Sequence, residues 1–357
     1  MSASGATGLA TATAPSLRVA EFTGAPTEWD GFVRAQPHWT HFHLHGWRTV
    51  MERALRHETI YLCARDGGGA LAGVLPLVRV KSRLFGHYLV SMPFVNYGGP
   101  LGSDNAIRAL GAHAAGLVVR DGVRLLEMRS RRELPLDIPV SHRKLTSVID
   151  LTAGTPDSLI RSLPPSVRTK IRKSQKAGVT VRFGADQIAP FHQVFSEHMR
   201  FLGTPTHGRA LFETIAAEFP DSALFACAYL KGKPVACGAG FTWNEEFEMT
   251  WASALRAHDE AKPNMGLYGA TMEHVMAAGC RVFNFGRSTP GSGTHKFKST
   301  WGARDEQLWW YGVARAGQPA ATPSPNEGAF SWGPRIWSEL PLGLTRWLGP
   351  RVVRFIP

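Results

Sequence analysis

The chain has few cysteines, few acids for its number of bases, and no long apolar run. Its four cysteines, Cys63, Cys227, Cys237 and Cys280, lie far apart in or beside apolar segments, and none shares a CxxC spacing. That excludes a zinc ribbon or a dense disulfide framework and marks them as small buried side chains of a reducing compartment. No segment approaches the roughly 18 apolar residues of a membrane-spanning helix. The opening residues, MSASGATGLATATAPS, carry no basic stretch ahead of an apolar one. They do not read as an export signal, and a cytoplasmic location is expected, at most at the inner face of a membrane. GSGTHKFK (291–298) lacks the GxxxxGK-Ser/Thr spacing of a Walker phosphate loop.

Acid is scarce in a patterned way. Against 40 Lys and Arg stand 28 Asp and Glu, a formal net charge of +12, and such an excess points to an anionic partner. Two windows hold no acid at all. Between Asp157 and Asp186 lie Arg161, Arg168, Lys170, Arg172, Lys173, Lys176 and Arg182. On a helix Arg168, Arg172 and Lys176 form one stripe, with Val167 and Ile171 on an apolar side. The second window, His274 to Arg304, contains FGRSTPGSGTHKFKSTWG (285–302).

What is present is 44% hydrophobic and 19% charged, enough to bury a core in a chain of 357 residues. Residues 1–18 read as disordered. A helical pattern runs from Thr27 to Leu55, broken near Pro37, and strand-like runs follow at 59–65, 70–80 and 87–95. The first two are joined by the turn Asp66-Gly67-Gly68-Gly69. After the loop 96–105, Ser103 or Asp104 caps a helix, and 123–129 is a strand. The second half repeats the order: helices over 155–220, strands at 222–230, 234–243 and 247–254, a loop at 258–266, a helix from 267, and strands at 281–285 and 307–313. No residue-level repeat accompanies it. Helices, an antiparallel meander, a loop, a helix and more strand is the element order of an N-acyltransferase (GNAT-like) fold, met twice. The expected class is α+β: tandem GNAT-like domains at 19–150 and 151–316, each a mixed, mostly antiparallel sheet flanked by helices, then a basic Trp/Pro-rich tail at 317–357. In that tail Trp332, Trp337 and Trp347 alternate with Arg335, Arg346, Arg351 and Arg354. It suits either an anionic membrane surface or packing over the domains.

For chemistry, the second acid-free window offers hydroxyls at Ser288, Thr289, Ser292 and Thr294 and close backbone approach at Gly286, Gly291, Gly293 and Gly302. It adds cations at Arg287, Lys296 and Lys298 and ring surface at Phe297 and Trp301. Such a set fits a phosphate, or the oxyanion of a tetrahedral acyl-transfer intermediate. General-base candidates are Glu248, in the strand FEMTW, with His207 and His295. The run HWTHFHLHGW holds His38, His41, His43 and His45. Their spacing of two fans apart on a helix, so a structural or interdomain role is expected and a metal is not.

Four stretches resemble the FemAB-related branch of the GNAT superfamily, in particular FemAB-like proteins associated with exosortase/PEP-CTERM exopolysaccharide genes, and CelD-type acetyltransferases beyond them. They are FGHYLVSMPFVNYGGPLG (85–102), SVRTKIRKSQKAGV (166–179), LGTPTHGRALFE (202–213) and FNFGRSTPGSGTHKFKSTWG (283–302). The resemblance implies transfer of an acyl or aminoacyl group to an amine on a cell-envelope or exopolysaccharide precursor. Phe297-Lys298 matches the Phe-Lys pair of the Fem ligases, which implies that Lys298 meets the donor end or the developing oxyanion. Lys298, Glu248 and His207 are then the catalytic candidates. The donor would lie on Arg287, Ser288, Thr289, Gly291, Gly293, His295, Lys296, Phe297 and Trp301, with Asn264 and Gly266, and the acceptor on Arg168, Arg172, Lys176, Asn96 and Tyr97. KPNMGLYGA (262–270) departs from the R/QxxGxG/A turn that grips coenzyme A pyrophosphate, so the donor is either an acyl-CoA or an aminoacyl-tRNA, and no tightly bound cofactor is expected. The partners implied are an anionic small-molecule or lipid-linked sugar acceptor, tRNA as donor carrier, and a peripheral membrane through 330–357; DNA is not among them. Two other functions fit the same residues: N-acylation of a free amino acid or amine with a long-chain or small donor, and a non-catalytic module gripping RNA or an anionic glycan. The enzyme reading requires the two acid-free surfaces, with Arg172 and Lys298, to meet in one crevice.

Overall fold

A computed structural model describes residues 17–82, 85–152, 155–317 and 333–356. Most of residues 1–18, expected to be disordered, and Trp332 lie outside them. The first half of the chain runs β1 (Arg18–Glu21), α1 (Pro26–Arg34), α2 (Gly46–Thr49), β2 (Glu58–Arg65), β3 (Leu71–Ser82), β4 (Gly86–Val90), β5 (Leu101–Gly102), α3 (Asp104–Arg120), β6 (Leu125–Ser130), β7 (Val140–Ser141) and β8 (Leu145–Asp150). The second runs α4 (Pro156–Ser162), α5 (Pro165–Lys176), β9 (Thr180–Phe183), α6 (Ile188–Phe201), α7 (Arg209–Glu218), β10 (Ala223–Leu230), β11 (Lys233–Trp243), β12 (Glu246–Ala254), α8 (Pro263–Ala277), β13 (Val282–Ser288), α9 (Gly293–Ser299), β14 (Arg304–Gln307) and β15 (Trp309–Ala314). Helices α10 (Gly333–Glu339) and α11 (Leu342–Val353) close the described chain.

Local chemistry accounts for many of the boundaries. Ser103 caps α3 by accepting from the Ala106 amide. Asp66 Oδ1 accepts from the Gly68 and Ala70 amides and closes the β2–β3 turn. The hairpins β10–β11 and β11–β12 turn through Lys231-Gly232 and Asn244-Glu245, all four with positive φ. That is the two-residue turn whose twist matches its flanking strands.

The strands form two sheets, ordered β1-β2-β3-β4-β6-β15-β7 with β5 on β3, and β14-β8-β13-β12-β11-β10-β9. Pairing is antiparallel except at β4–β6 and β12–β13. The sheets do not divide where the chain was expected to divide. β8 lies in the first half but pairs with β13 and β14 in the second sheet, and β15 returns to pair with β6 and β7 in the first. An aromatic core that includes Phe42, Trp47, Phe219, Phe241 and Trp243 joins the two halves. A second core lies under α3, and a third under α5, α8 and α9.

Three expectations are corrected. The strand expected over 87–95 stops at Val90, and 91–99 is a loop. The helical region 155–220 is interrupted by β9. The glycine-rich segment 285–302 is not one loop: it begins as β13 and contains α9, capped by Ser292 accepting from the His295 amide.

Candidate active site

In the second sheet the parallel pair β12–β13 is three residues long, Glu246↔Val282, Phe247↔Phe283 and Glu248↔Asn284. Beyond it the strands part. β12 carries a bulge, since Ala239 pairs with Trp251 while Gly240 pairs with Met249 and leaves Thr250 extra. A bulge bends its strand and re-aims side chains. β13 changes direction at Gly286, φ +73°, and lies close to β12 there, since an added Cβ would sit 2.9 Å from the Met249 carbonyl oxygen. Glu248 and Asn284 are the last pair of this ladder, whose end is termed the wedge.

Glu248 is wholly buried. Its carboxyl accepts from Asn96 Nδ2 (2.5 Å), from the Tyr97 hydroxyl, from Thr250 Oγ1 (3.2 Å) and from Asn284 Nδ2 (3.4 Å). Asn284 also donates to the Tyr97 hydroxyl (3.0 Å) and to Glu246 (2.7 Å), while its amide oxygen accepts from Thr146 (2.6 Å) and from the Gly286 N–H (2.8 Å). Glu246 is paired in turn with Arg131 (2.7 Å), which also reaches Glu306. Burial raises the Glu248 pKa to about 7, opposed by the Tyr97 hydrogen bond. A carboxyl poised there can take a proton at neutral pH. Asn96 and Tyr97 come from the first half, on the loop 91–99, where Met92 and Phe94 stand at φ +54° and +69°. Non-glycine residues hold that conformation only where their surroundings enforce it.

Lys298 enters the wedge from α9. Its Nζ donates to the Gly286 carbonyl (2.5 Å) and the Arg287 carbonyl (3.0 Å), and the side chain is buried. Burial lowers its pKa to about 7, although Glu248 pulls the other way. Beside it the guanidinium groups of Arg287, Arg129 and Arg143 stand 5.0, 4.4 and 4.8 Å from the Trp310 ring. Glu127 pairs with Arg129 and Arg143. Among the described residues no carboxylate pairs with Arg287 or with Lys144, whose Nζ donates to Thr289 (2.6 Å). Arg287 is depressed to about 9 by burial and then by Arg129, and Lys144 to about 8 by burial and then by Arg287. The Ser288 hydroxyl is buried without a partner. Arg287 and Lys144 thus carry positive charge without a paired carboxylate, a setting that suits a bound anion.

A cleft of about 310 Å³ opens on the Tyr97 side. Its walls include Trp39, His43, Tyr97, Arg131, Trp243 and Glu246. The histidine run braces this region. His41 stacks on Phe241 (4.4 Å) and bonds Ser222 (2.9 Å), and His43 bonds the Gly99 carbonyl (3.0 Å). His41 thus ties the two halves, as its spacing suggested.

The expected site residues separate into those gathered here and those elsewhere. Glu248, Lys298, Asn96, Tyr97, Arg287, Ser288 and Thr289 come together. His207 lies between α6 and α7 with its ring against Phe94, and burial lowers it to about 4, so it is neutral and outside the network. Trp301 is not surface for a donor: it is wholly buried, and Phe297 packs with it against Tyr268 and Phe285. Lys296 and Gly293 are exposed. His295 bonds Asp305 (2.8 Å) and the Gly291 amide (2.9 Å), which braces the turn. Gly266 does not cradle a phosphate, because a Cβ there would lie 2.3 Å from Ser174 Oγ, so this glycine lets α5 pack on α8. Asn264 Oδ1, in the first turn of α8, is buried and unpartnered. Arg168, Arg172 and Lys176 sit on the outer side of α5, whose Val167 and Ile171 share a core with Phe297 and Trp301. Arg172 and Lys176 are exposed, and none of the three lines the cleft. None of Arg172, Lys298 and Glu248 lines the cleft. The required meeting of the two acid-free surfaces in one crevice is therefore not found, and an enzyme reading has to rest on Glu248 and Lys298 without the α5 stripe. The residues missed from the sequence are Asn284, Thr146, Arg131, Arg129, Arg143 and Lys144. Asn284, Thr146 and Arg129 stand on strands and the other three just outside them, and nothing local marks them.

Residues 164–299 match the acetyltransferase (GNAT) domain family. No curated protein matches the chain. Among solved structures, FemX shares 13% identity with a TM-score of 0.62, over 82% of this chain and 97% of that one. The L-PGS of Bacillus licheniformis shares 12% at a TM-score of 0.53, over 91% and 97%. A tandem GNAT protein from the clavulanic acid biosynthesis pathway shares 14% at 0.52, over 84% and 98%. The fold is therefore GNAT-like and duplicated, two mixed sheets flanked by helices.

Proposed function

We propose that this chain is an N-acyltransferase or aminoacyltransferase of the FemAB type, moving an activated acyl group onto an amine of a cell-envelope or exopolysaccharide precursor. The observation that carries the reading is the end of the β12–β13 ladder, where a buried carboxyl at Glu248 closes the last pair and a buried amine at Lys298 bonds the β13 backbone two and three residues on, both near neutrality. In this reading the acceptor amine enters from the cleft and attacks the acyl carbon. A C–N bond forms, and the bond to the donor's sulfur or oxygen breaks. The Tyr97 hydroxyl passes its proton to Glu248 and takes one from the amine. The proton gained by Glu248 leaves with the donor's sulfur or oxygen, which departs as a thiol or hydroxyl. Cationic Lys298 stabilises the oxyanion, a contribution of about 3–4 kcal/mol for one well-placed donor in a dry site. Arg287, Lys144 and Arg143 hold the donor's anionic portion, the role that Gly266 does not fill. The donor is an acyl-CoA or an aminoacyl-tRNA, and both bring phosphate.

The test supplies purified protein with labelled acetyl-CoA or labelled aminoacyl-tRNA and a panel of amino-sugar and amino-acid acceptors. Label should appear in an amide product, and Lys298→Met should abolish it. Failure of both donors, or an unchanged rate in that variant, sinks the reading.

A further inference from the structure

Seven large hydrophobic side chains stand exposed among the described residues: Val119, Val140, Phe201, Leu202, Ile336, Leu344 and Trp347. Five of them belong to one region, the end of α6 with α10 and α11. Their exposure is high, at 48% for Phe201, 51% for Leu202, 53% for Ile336 and 58% for Trp347. The region is built as a unit. The backbone of Pro334 covers Gly203, where a Cβ would meet it at 2.2 Å. Arg200 donates to the Leu340 carbonyl, and Arg346 to Ser196 (2.9 Å) and the Gln193 carbonyl (3.2 Å). Helix α11 is two-sided. Thr345, Gly349 and Val353 are buried, with Gly349 against Thr206, while Leu344, Trp347 and Arg351 recur at helical spacing on the exposed side.

We propose that this face docks on an anionic lipid bilayer. Exposed apolar side chains gathered on one face mark a surface meant to be covered. The charge around them is mostly positive. Residues 333–356 contain Arg335, Arg346, Arg351 and Arg354 against the single acid Glu339. The Arg351 guanidinium lies 4.4 Å from the Trp347 ring, and that of Arg256 lies 4.4 Å from Phe201. Rings flanked by guanidinium groups suit the headgroup level of a bilayer, where the ring meets acyl carbons and the cation meets phosphate. The formal net charge of +12 favours the same surface. No helix among the described residues is long and apolar enough to cross a membrane, so the contact is peripheral. Catalysis by the wedge is not required for this docking.

The full chain is sedimented with vesicles of phosphatidylcholine alone and of phosphatidylcholine mixed with phosphatidylglycerol. It should pellet with the mixed vesicles and release as salt is raised. The double variant Ile336→Glu/Trp347→Glu should weaken partitioning about ten-fold or more while leaving the melting curve unchanged, because both side chains already stand in water. Partitioning equal in wild type and double variant overturns the proposal, as does the absence of binding to mixed vesicles. A concentration-dependent dimer in ultracentrifugation that the double variant dissolves also overturns it, by assigning the face to a second copy of the chain.

Discussion

Beyond Val90 and Glu127 in the first sheet, and beyond Glu248 and Asn284 in the second, a parallel pair of strands comes apart after three paired residues. In the first sheet the gap is sewn shut by its own backbone. The Ser91 amide donates to the Glu127 carbonyl (2.9 Å), Gly98 and Gly99 donate to the Arg129 carbonyl, and the Ser91 hydroxyl accepts from the Arg129 amide (2.8 Å). In the second sheet comparable backbone groups are met by side chains: Lys298 on the carbonyls of Gly286 and Arg287, and Asn284 on the Gly286 amide. Backbone partners make a seam. Titratable partners make a place where protons and charge can move. The loop that sews the first gap also delivers Asn96 and Tyr97 to the second, so the closed half supports the open one.

The comparison breaks most visibly at Lys298 and Glu248. Lys298→Met, which keeps volume and removes the charge, should cut turnover about 100- to 1,000-fold in single-turnover assays of the folded protein, a loss larger than the change in melting temperature accounts for. Glu248→Gln should cost about 100-fold or more by loss of the base. An undiminished rate in either variant would show that the open wedge is as inert as the closed seam. The pH profile sharpens the same point. Glu248 must be ionised, so kcat/KM should rise as pH climbs through about 7. Lys298 must be protonated, so the rate should fall as pH passes about 7. The result is a narrow bell, from which Glu248→Gln removes the acid limb and Lys298→Met the alkaline one. Retention of both limbs in both variants refutes the assignment. Arg287→Ala should raise the KM for a phosphate-bearing donor about ten-fold with a smaller change in kcat. The smallest effect on rate belongs to the closed seam. Ser91→Ala should lower stability by about 1–2 kcal/mol in chemical denaturation and leave kcat within about two-fold.

Much of the architecture was legible. The strand-like runs at 222–230, 234–243 and 247–254 became β10, β11 and β12, because short apolar runs and the turns between them act between neighbours in the chain. Glu248 and Lys298 were legible as candidates, one from its strand and the other from an acid-free window. Three things were not. β8 had no turn signal to attach it to β13, since that pairing joins Thr146 to Arg287 across most of the second half. The acceptor stripe on α5 satisfied every local rule for a binding helix and still faces away, because helical periodicity says which residues share a face and not what that face meets. Asn284 and Thr146 read as ordinary strand residues and acquired meaning only when burial forced their amide and hydroxyl to find partners.

By itself the sequence determined a duplicated GNAT-like order of elements, a basic chain with its acids withheld from two segments, and a glycine-marked turn bearing a lysine. Tertiary structure decided that one ladder end is met by backbone partners and the other by titratable side chains, that Asn96 meets Glu248 across 152 residues, and that burial brings a carboxyl up and an amine down, each to about 7. The reason is physical. Turn and helix preferences are set by bonds between near neighbours, whereas desolvation and the pairing of buried polar groups depend on what distant segments bring, and those two effects make a carboxylate into a base.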